Sequence, residues 1–182
     1  IAQLISTSGS TGSEKLVKQS YDALSDNVKK ISSFLKILSK DKVITTMDPH
    51  YTYALSIINT HLSKGATIIL NNSSFFEKRF WENFEKYKIN TFGGVPFHYE
   101  ILKKLKFHEK KINHLRYITQ AGGKINDQVL DYFIDIAKKK KFKFFVMYGQ
   151  TEAISRISIL DYRFLKKYKG SVGKPLEGYK IW

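Results

Sequence analysis

The stretch Leu115-Arg116-Tyr117-Ile118-Thr119-Gln120-Ala121-Gly122-Gly123, with its continuation to Phe142-Lys143-Phe144-Phe145-Val146-Met147-Tyr148-Gly149-Gln150-Thr151-Glu152, decides the fold. Leu115 to Thr119 reads as a strand that stops at a Gly-Gly turn. Val129, Leu130, Phe133, Ile134 and Ala137 then recur at helical spacing, and the helix ends in Lys138 to Lys141, where positive charge suits a C-terminus. Phe142 to Met147 is a second strand, running straight into Tyr148-Gly149-Gln150-Thr151-Glu152. A strand, a crossover helix and another strand predict a parallel pair.

Working outward, the same alternation repeats. Ala2 to Ser6 is a short apolar run entering a Ser/Gly/Thr loop. Val28, Ile31, Phe34, Leu35 and Leu38 mark a helix from about Tyr21. Val43 to Thr46 reads as a strand, and Tyr53 to Leu62 as a helix with Gly65 placed to cap it. Ala66 to Leu70 is apolar throughout and reads as a buried strand before the turn Asn71 to Ser74. Phe80, Phe84 and Tyr87 mark a helix, and Thr91 to Val95 is extended. Pro96 opens a helix with Ile101, Leu102 and Leu105 inward. The expected fold is α/β, a mostly parallel sheet flanked by helices, with ligands at the carboxyl ends of the strands.

The chain of 182 residues is long enough for a real core, and 42% hydrophobic residues argue against global disorder. It begins at Ile1 rather than Met and closes on Tyr179 to Trp182, which reads as a strand, so both ends look cut. No apolar run approaches the ~20 residues that span a bilayer, and no leader of the signal-peptide kind is visible. The absence of cysteine excludes disulfides, thiolate metal sites and a Cys nucleophile, and is compatible with a cytoplasmic location. The net charge of +15 invites a nucleic-acid reading. It is nearly all lysine, whereas base-reading sites favour arginine, and richness in Ile, Asn, Phe and Tyr points to AT-rich codons. No nucleic-acid partner is expected.

Four loops carry the chemistry. In Ser6-Thr7-Ser8-Gly9-Ser10-Thr11-Gly12-Ser13-Glu14-Lys15, the two glycines let successive N–H groups point inward as a nest for anionic oxygen. Thr7, Ser8, Ser10 and Thr11 add hydroxyls, and Lys15 adds a mobile charge. A solvated Ser/Gly turn is the alternative. The loop lacks the Lys-Ser/Thr ending of a Walker A motif. In Tyr148 to Glu152, Glu152 could hold Mg²⁺ while the Thr151 hydroxyl binds a phosphate oxygen; a helix N-cap is the alternative. Gln120 to Lys124 could let a flat ring approach the backbone, or be an ordinary strand-to-helix turn. Gly170-Ser171-Val172-Gly173-Lys174-Pro175 alone reads as a turn.

Together and in this order, the four resemble the AMP-forming adenylate-forming superfamily, which includes acyl-CoA synthetases, peptide-synthetase adenylation domains and luciferases. Thr7 to Lys15 is similar to its phosphate signature, Tyr148 to Glu152 to its Tyr-Gly-x-Thr-Glu motif, and Gly170 to Pro175 to its Gly-x-x-Gly-x-Pro. Pro49 to Leu55, with Leu62 and Gly65-Ala66, is similar to the segment leading into the acyl-pocket helix, and Gly93-Gly94-Val95-Pro96 to the loop lining that pocket. Glu14 and Leu16 depart from the family's Pro and Gly, placing an acid beside the triphosphate site.

The resemblance implies activation of a small carboxylic acid by ATP, giving an acyl-adenylate and pyrophosphate, then transfer to a thiol of CoA or of a phosphopantetheinyl carrier protein. It implies that Thr7, Ser8, Gly9, Ser10, Thr11, Gly12 and Lys15 hold the β- and γ-phosphates. Thr151 would contact the α-phosphate and Glu152 would bind Mg²⁺, so Lys15, Thr151 and Glu152 would carry the chemistry. Gly122, Gly123, Tyr148 and Gly149, with Gln150, would frame the adenine. Tyr51, Tyr53, Gly94 and Val95 would border the acid, although Tyr51 and Tyr53 could equally be core aromatics. The chain would be the central part of the large N-terminal domain, residues 1–182, without the ribose-binding Asp or the small C-terminal domain and its catalytic Lys. Such a piece should be catalytically poor alone. A nucleotide-binding scaffold without catalysis is the competing reading.

Overall fold

The computed structural model describes residues 1–7 and 15–181. The chain opens with an antiparallel hairpin, β1 (Gln3–Ser6) and β2 (Leu16–Gln19), which stands apart from the main sheet. Helix α1 (Tyr21–Leu35) starts where the Ser20 hydroxyl accepts from the Ala23 N–H at 3.2 Å, satisfying one of the first turn's orphan donors. There follow β3 (Lys42–Ile44), α2 (Thr52–Leu62), β4 (Thr67–Ile69), α3 (Lys78–Lys86), β5 (Thr91–Gly94) and α4 (Pro96–Lys104). Pro96 occupies the first helical position of α4, where its missing N–H costs nothing. β6 (Tyr117–Gln120), α5 (Asp127–Lys140), β7 (Lys143–Tyr148), β8 (Ser158–Leu160) and the two-residue β9 (Lys174–Pro175) complete the order.

The main sheet has seven strands in the order β4-β3-β5-β6-β7-β8-β9. From β4 to β7 all pairings are parallel, while β8 and β9 add antiparallel pairs. Period-two alternation sorts side chains between two cores. Tyr117 and Phe145 join Ile31, Leu35 and Ile57 on the α1/α2 face. Ile118 and Phe144 join Phe84, Leu102, Phe107 and Phe133 on the α3/α4/α5 face.

Several expectations are corrected. The Ala66–Leu70 run is not a buried strand: β4 is the sheet's edge, paired only with β3, and Leu70 is 74% exposed. Phe34 and Leu38 fall on the exposed side of the α1 region, and Ile136, not Ile134, is fully buried in α5. Gly65, by contrast, caps α2 as expected: it takes the left-handed conformation, its N–H donates to the Leu62 carbonyl at 2.9 Å, and the Ala66 N–H donates to the His61 carbonyl at 3.0 Å. Tyr179 to Ile181 form no strand, and Trp182 lies outside the described residues. The Tyr179 hydroxyl instead accepts from Asn27 Nδ2 at 3.0 Å.

At the N-terminal end of the sheet one carboxylate ties three strands together. Asp41 is 0% exposed, and Arg116 grips it with Nε at 2.9 Å and Nη2 at 2.7 Å. Asn90 Nδ2 and the Leu38 N–H complete its acceptor set. Removing the acid would leave a half-buried guanidinium unpaired. Asp41→Ala should therefore lower stability by about 3 kcal/mol or more in urea unfolding.

On the α2 face, His61 Nδ1 lies 2.7 Å from the Ile57 carbonyl, which can only accept, so Nε2 accepts from the Tyr117 hydroxyl at 2.9 Å. Burial lowers this imidazole's pKa from 6.5 to about 4. The unfolded chain then takes up the proton at higher pH than the native one. Stability present above the unfolded pKa is lost as pH falls through that window. Urea titrations should show a loss of about 2 kcal/mol between neutral pH and about pH 5, and His61→Gln should remove that part of the slope.

Candidate active site

At the carboxyl ends of β3, β5, β6 and β7 lies a cleft of about 1230 Å³. Such strand ends are where parallel sheets bind ligands. The loop after β7 forms its centre and is folded tightly on itself. The Ser155 N–H returns to the Gln150 carbonyl at 3.0 Å and the Ile157 N–H to the Tyr148 carbonyl at 2.8 Å. A Cβ on Gly149 would sit 1.1 Å from the Ser155 carbonyl oxygen, so only glycine fits there. Ile154 adopts φ 69° and Ser155 φ 98°. Left-handed backbone costs a non-glycine residue roughly 1–2 kcal/mol, and for Ile154 the surrounding turn imposes it.

That turn aims Thr151. Residues Thr151–Ala153 form one 3₁₀ turn with no side-chain cap, so Thr151 does not serve as a helix N-cap. Its hydroxyl lies 2.9 Å from the hydroxyl of Thr52 at the start of α2. Its carbonyl accepts from Gln19 Nε2 of β2 at 2.7 Å, and Gln19 is itself buried. Three distant segments thus meet on one residue. Glu152 is exposed beside it, in the cleft wall. Among the described residues no three His, Asp or Glu side chains cluster to hold a metal.

Of the residues singled out in the sequence, Thr7, Tyr51, Tyr53, Val95, Gly122, Gly149, Gln150, Thr151 and Glu152 line the cleft. Ser8, Gly9, Ser10, Thr11 and Gly12 lie outside the described residues. Thr7 and Lys15 close the hairpin, the Thr7 N–H donating to the Lys15 carbonyl at 3.0 Å; the exposed Lys15 side chain is not part of the wall. Gly123 turns its carbonyl to Gln120 Nε2 at 2.8 Å, and Tyr148 turns its hydroxyl to Gln150 Nε2 at 2.5 Å. Gly94 is buried in β5, where a Cβ would meet His98 at 3.1 Å and Tyr99 at 3.3 Å; these side chains occupy the space beside it.

Sequence reading did not single out Thr52, His98 or Arg156, all in the wall. Thr52 sits inside the Pro49–Leu55 segment, which was the available signal. His98 follows Pro96 on α4, and its Nδ1 is buried without a hydrogen-bond partner. Burial pulls the His98 pKa below its ordinary value. Arg156 is 1% exposed and donates to the Ser56 carbonyl and hydroxyl and to Thr60 Oγ1 at 2.9–3.2 Å. Among the described residues no carboxylate pairs with it, and burial lowers its pKa to about 10.

Sheet order and cleft define an adenylate-forming fold. The family model described as AMP-binding enzyme matches residues 1–181, and the chain belongs to that family. An uncharacterized acyl-CoA ligase of Bacillus subtilis, YtcI, is 30% identical over 186 residues, covering 100% of this chain and 34% of its own length. The 2-succinylbenzoate-CoA ligase of Lactococcus lactis is 29% identical, covering 100% of this chain and 38% of its own length. O-succinylbenzoate coenzyme A synthetase of Bacillus subtilis, solved in complex with AMP, superposes with a TM-score of 0.82 at 25% identity, over 96% of this chain and 35% of its own. The chain thus spans about a third of the length of these relatives. Among the described residues no helix is long and apolar enough to cross a membrane.

Gly149→Ala should lower the melting temperature sharply, because the added methyl meets main chain. Gly170→Ala, whose Cβ would meet only the tip of Lys124 at 3.8 Å, should cost less. The ordering is read by thermal unfolding of the two variants side by side.

Proposed function

We propose that this chain is part of the large N-terminal domain of an enzyme that activates a carboxylic acid with ATP and passes the acyl group to a thiol. The observation that carries the reading is the meeting of Thr52, Thr151 and Glu152 in one cleft, with Thr7 of the hairpin on its rim. Family membership and the acyl-CoA ligase relatives support it.

In the first step a carboxylate oxygen of the acid attacks the α-phosphorus of ATP. The bond to the bridging oxygen breaks, pyrophosphate leaves, and a mixed acyl-phosphate anhydride remains. In the second, a thiol sulfur attacks the acyl carbonyl and AMP departs. The protein's part is positioning and charge neutralisation. The hydroxyls of Thr151 and Thr52, 2.9 Å apart, would present donors to an α-phosphate oxygen. Thr7 and Lys15, with the loop between them, would hold the outer phosphates. Gly122 and Gly149, both in the cleft wall, would border the adenine. Glu152 would hold Mg²⁺, which when bound neutralises phosphate charge. CoA or a carrier-protein arm would be the acceptor.

The test is carboxylate-dependent ATP–pyrophosphate exchange by the protein at its full natural length. Glu152→Gln should lower the exchange rate about a hundredfold, the scale of losing one electrostatic stabiliser. Lys15→Ala should weaken it strongly, through the ATP KM. ATP binding without exchange across a broad acid panel would instead support the scaffold reading.

A further inference from the structure

The parallel topology puts the carboxyl ends of β3, β5, β6 and β7 at the cleft and gathers the other strand ends, with the C-termini of α1 to α5, at the opposite pole. Five connections make up that pole, each running from a helix's last turn to the first residue of the next strand: residues 32–42, 59–67, 83–91, 101–117 and 137–143. They hold sixteen of the chain's lysines and Arg116, against only three acids, Asp41, Glu85 and Glu109. The pole thus carries +14 of the chain's +15, and everything else, the cleft end included, nets +1. None of the sixteen lysines is buried. Among the described residues only one of them, Lys106, is ion-paired, to Glu109 at 3.6 Å.

Codon bias sets how many lysines a chain has, not where they stand. The helix dipole favours cations in a last turn, which accounts for six of the sixteen; the other ten lie past the helix ends. Lysine is almost never buried unless paired, so the pole is built for water or for an anionic surface. The connections come from helices on both faces of a sheet whose strands stand about 4.8 Å apart, so the charge forms a broad field rather than a groove. Arg116 is engaged by Asp41 and the Lys36 carbonyl, which leaves these connections no guanidinium for bidentate contact with nucleic acid. Leu62, Leu38, Phe34 and Tyr87 stand exposed among the lysines, and apolar side chains set among basic ones suit a lipid headgroup layer. We propose that this pole is a docking surface for an anionic lipid bilayer, which holds the protein at the membrane with its cleft turned toward the water. Near such a surface each lysine contributes about fivefold in affinity. The inference does not rest on the acid-activation reading.

Vesicle co-sedimentation of the protein at its full natural length tests this, with equal parts phosphatidylglycerol and phosphatidylcholine against phosphatidylcholine alone. At about 0.1 M salt the anionic vesicles should bind at least about tenfold more tightly, and about 1 M salt should abolish the difference. Lys138→Glu/Lys139→Glu/Lys141→Glu should weaken binding to the anionic vesicles at least about tenfold. Lys18→Glu/Lys29→Glu/Lys78→Glu makes the same change in net charge away from the pole and should stay within about threefold of the wild type. Equal binding to both vesicle types, or none, by the wild type overturns the proposal whether or not the variants fold. An equal loss in the two triple variants also overturns it, because total charge and not its placement would then govern. Release of the protein from the anionic vesicles by duplex RNA at matched phosphate concentration assigns the pole to nucleic acid and overturns it too. None of these readouts uses pyrophosphate exchange, so either reading can fail without the other.

Discussion

One main-chain carbonyl sets the shape of the cleft. The Thr119 oxygen receives the Tyr53 hydroxyl from the α1/α2 side and the Tyr99 hydroxyl, at 2.7 Å, from the α3/α4/α5 side. Both rings can reach it because the neighbouring strand ends in Gly93 and Gly94, whose missing side chains leave a passage on each face. The helices that wall the cleft, α2 and α4, are thereby fixed to the same point of β6. Buried phenols without acceptors would be costly, so the arrangement is held as a unit.

A second constraint lies across the cleft. The loop after β7 closes so tightly that Gly149 touches the main chain of Ser155, and Ile154 and Ser155 accept left-handed backbone. The next residue in the chain is Arg156, whose buried guanidinium is satisfied by Ser56 and Thr60 of α2. The strained turn and the helix are thus fastened together a few residues from Thr151. A buried cation without a carboxylate is expensive, and its neutral oxygen partners and the Tyr53 ring are what offset that expense here.

Much of this is legible in the sequence. The parallel strands β3, β5, β6 and β7 and their helices follow from apolar periodicity, and Gly149-Gln150-Thr151-Glu152 falls at a strand's end on sequence grounds alone. The features that sequence reading misses depend on pairing. Ala66 to Leu70 looks buried by composition, but burial is a property of neighbours, and β4 has only one. The hairpin strand Leu16–Gln19 and the antiparallel β8 are four and three residues long, too short for a period to show. Thr52, His98 and Arg156 carry no local signal, since each matters through contacts with residues far away in sequence. The close packing at Gly93, against Ile57, Tyr53 and Thr119, and at Gly94, against His98 and Tyr99, is likewise set by pairing and carries no local signal.

The bond from Gln19 to the Thr151 carbonyl has a mechanical meaning. The hairpin β1–β2 shares no strand pairing with the main sheet. Gln19 ties it to the loop after β7, so the position of the hairpin and the course of the Thr151 backbone are set by one bond. Two segments separated by more than a hundred positions in sequence are joined by an amide side chain that belongs to neither sequence motif.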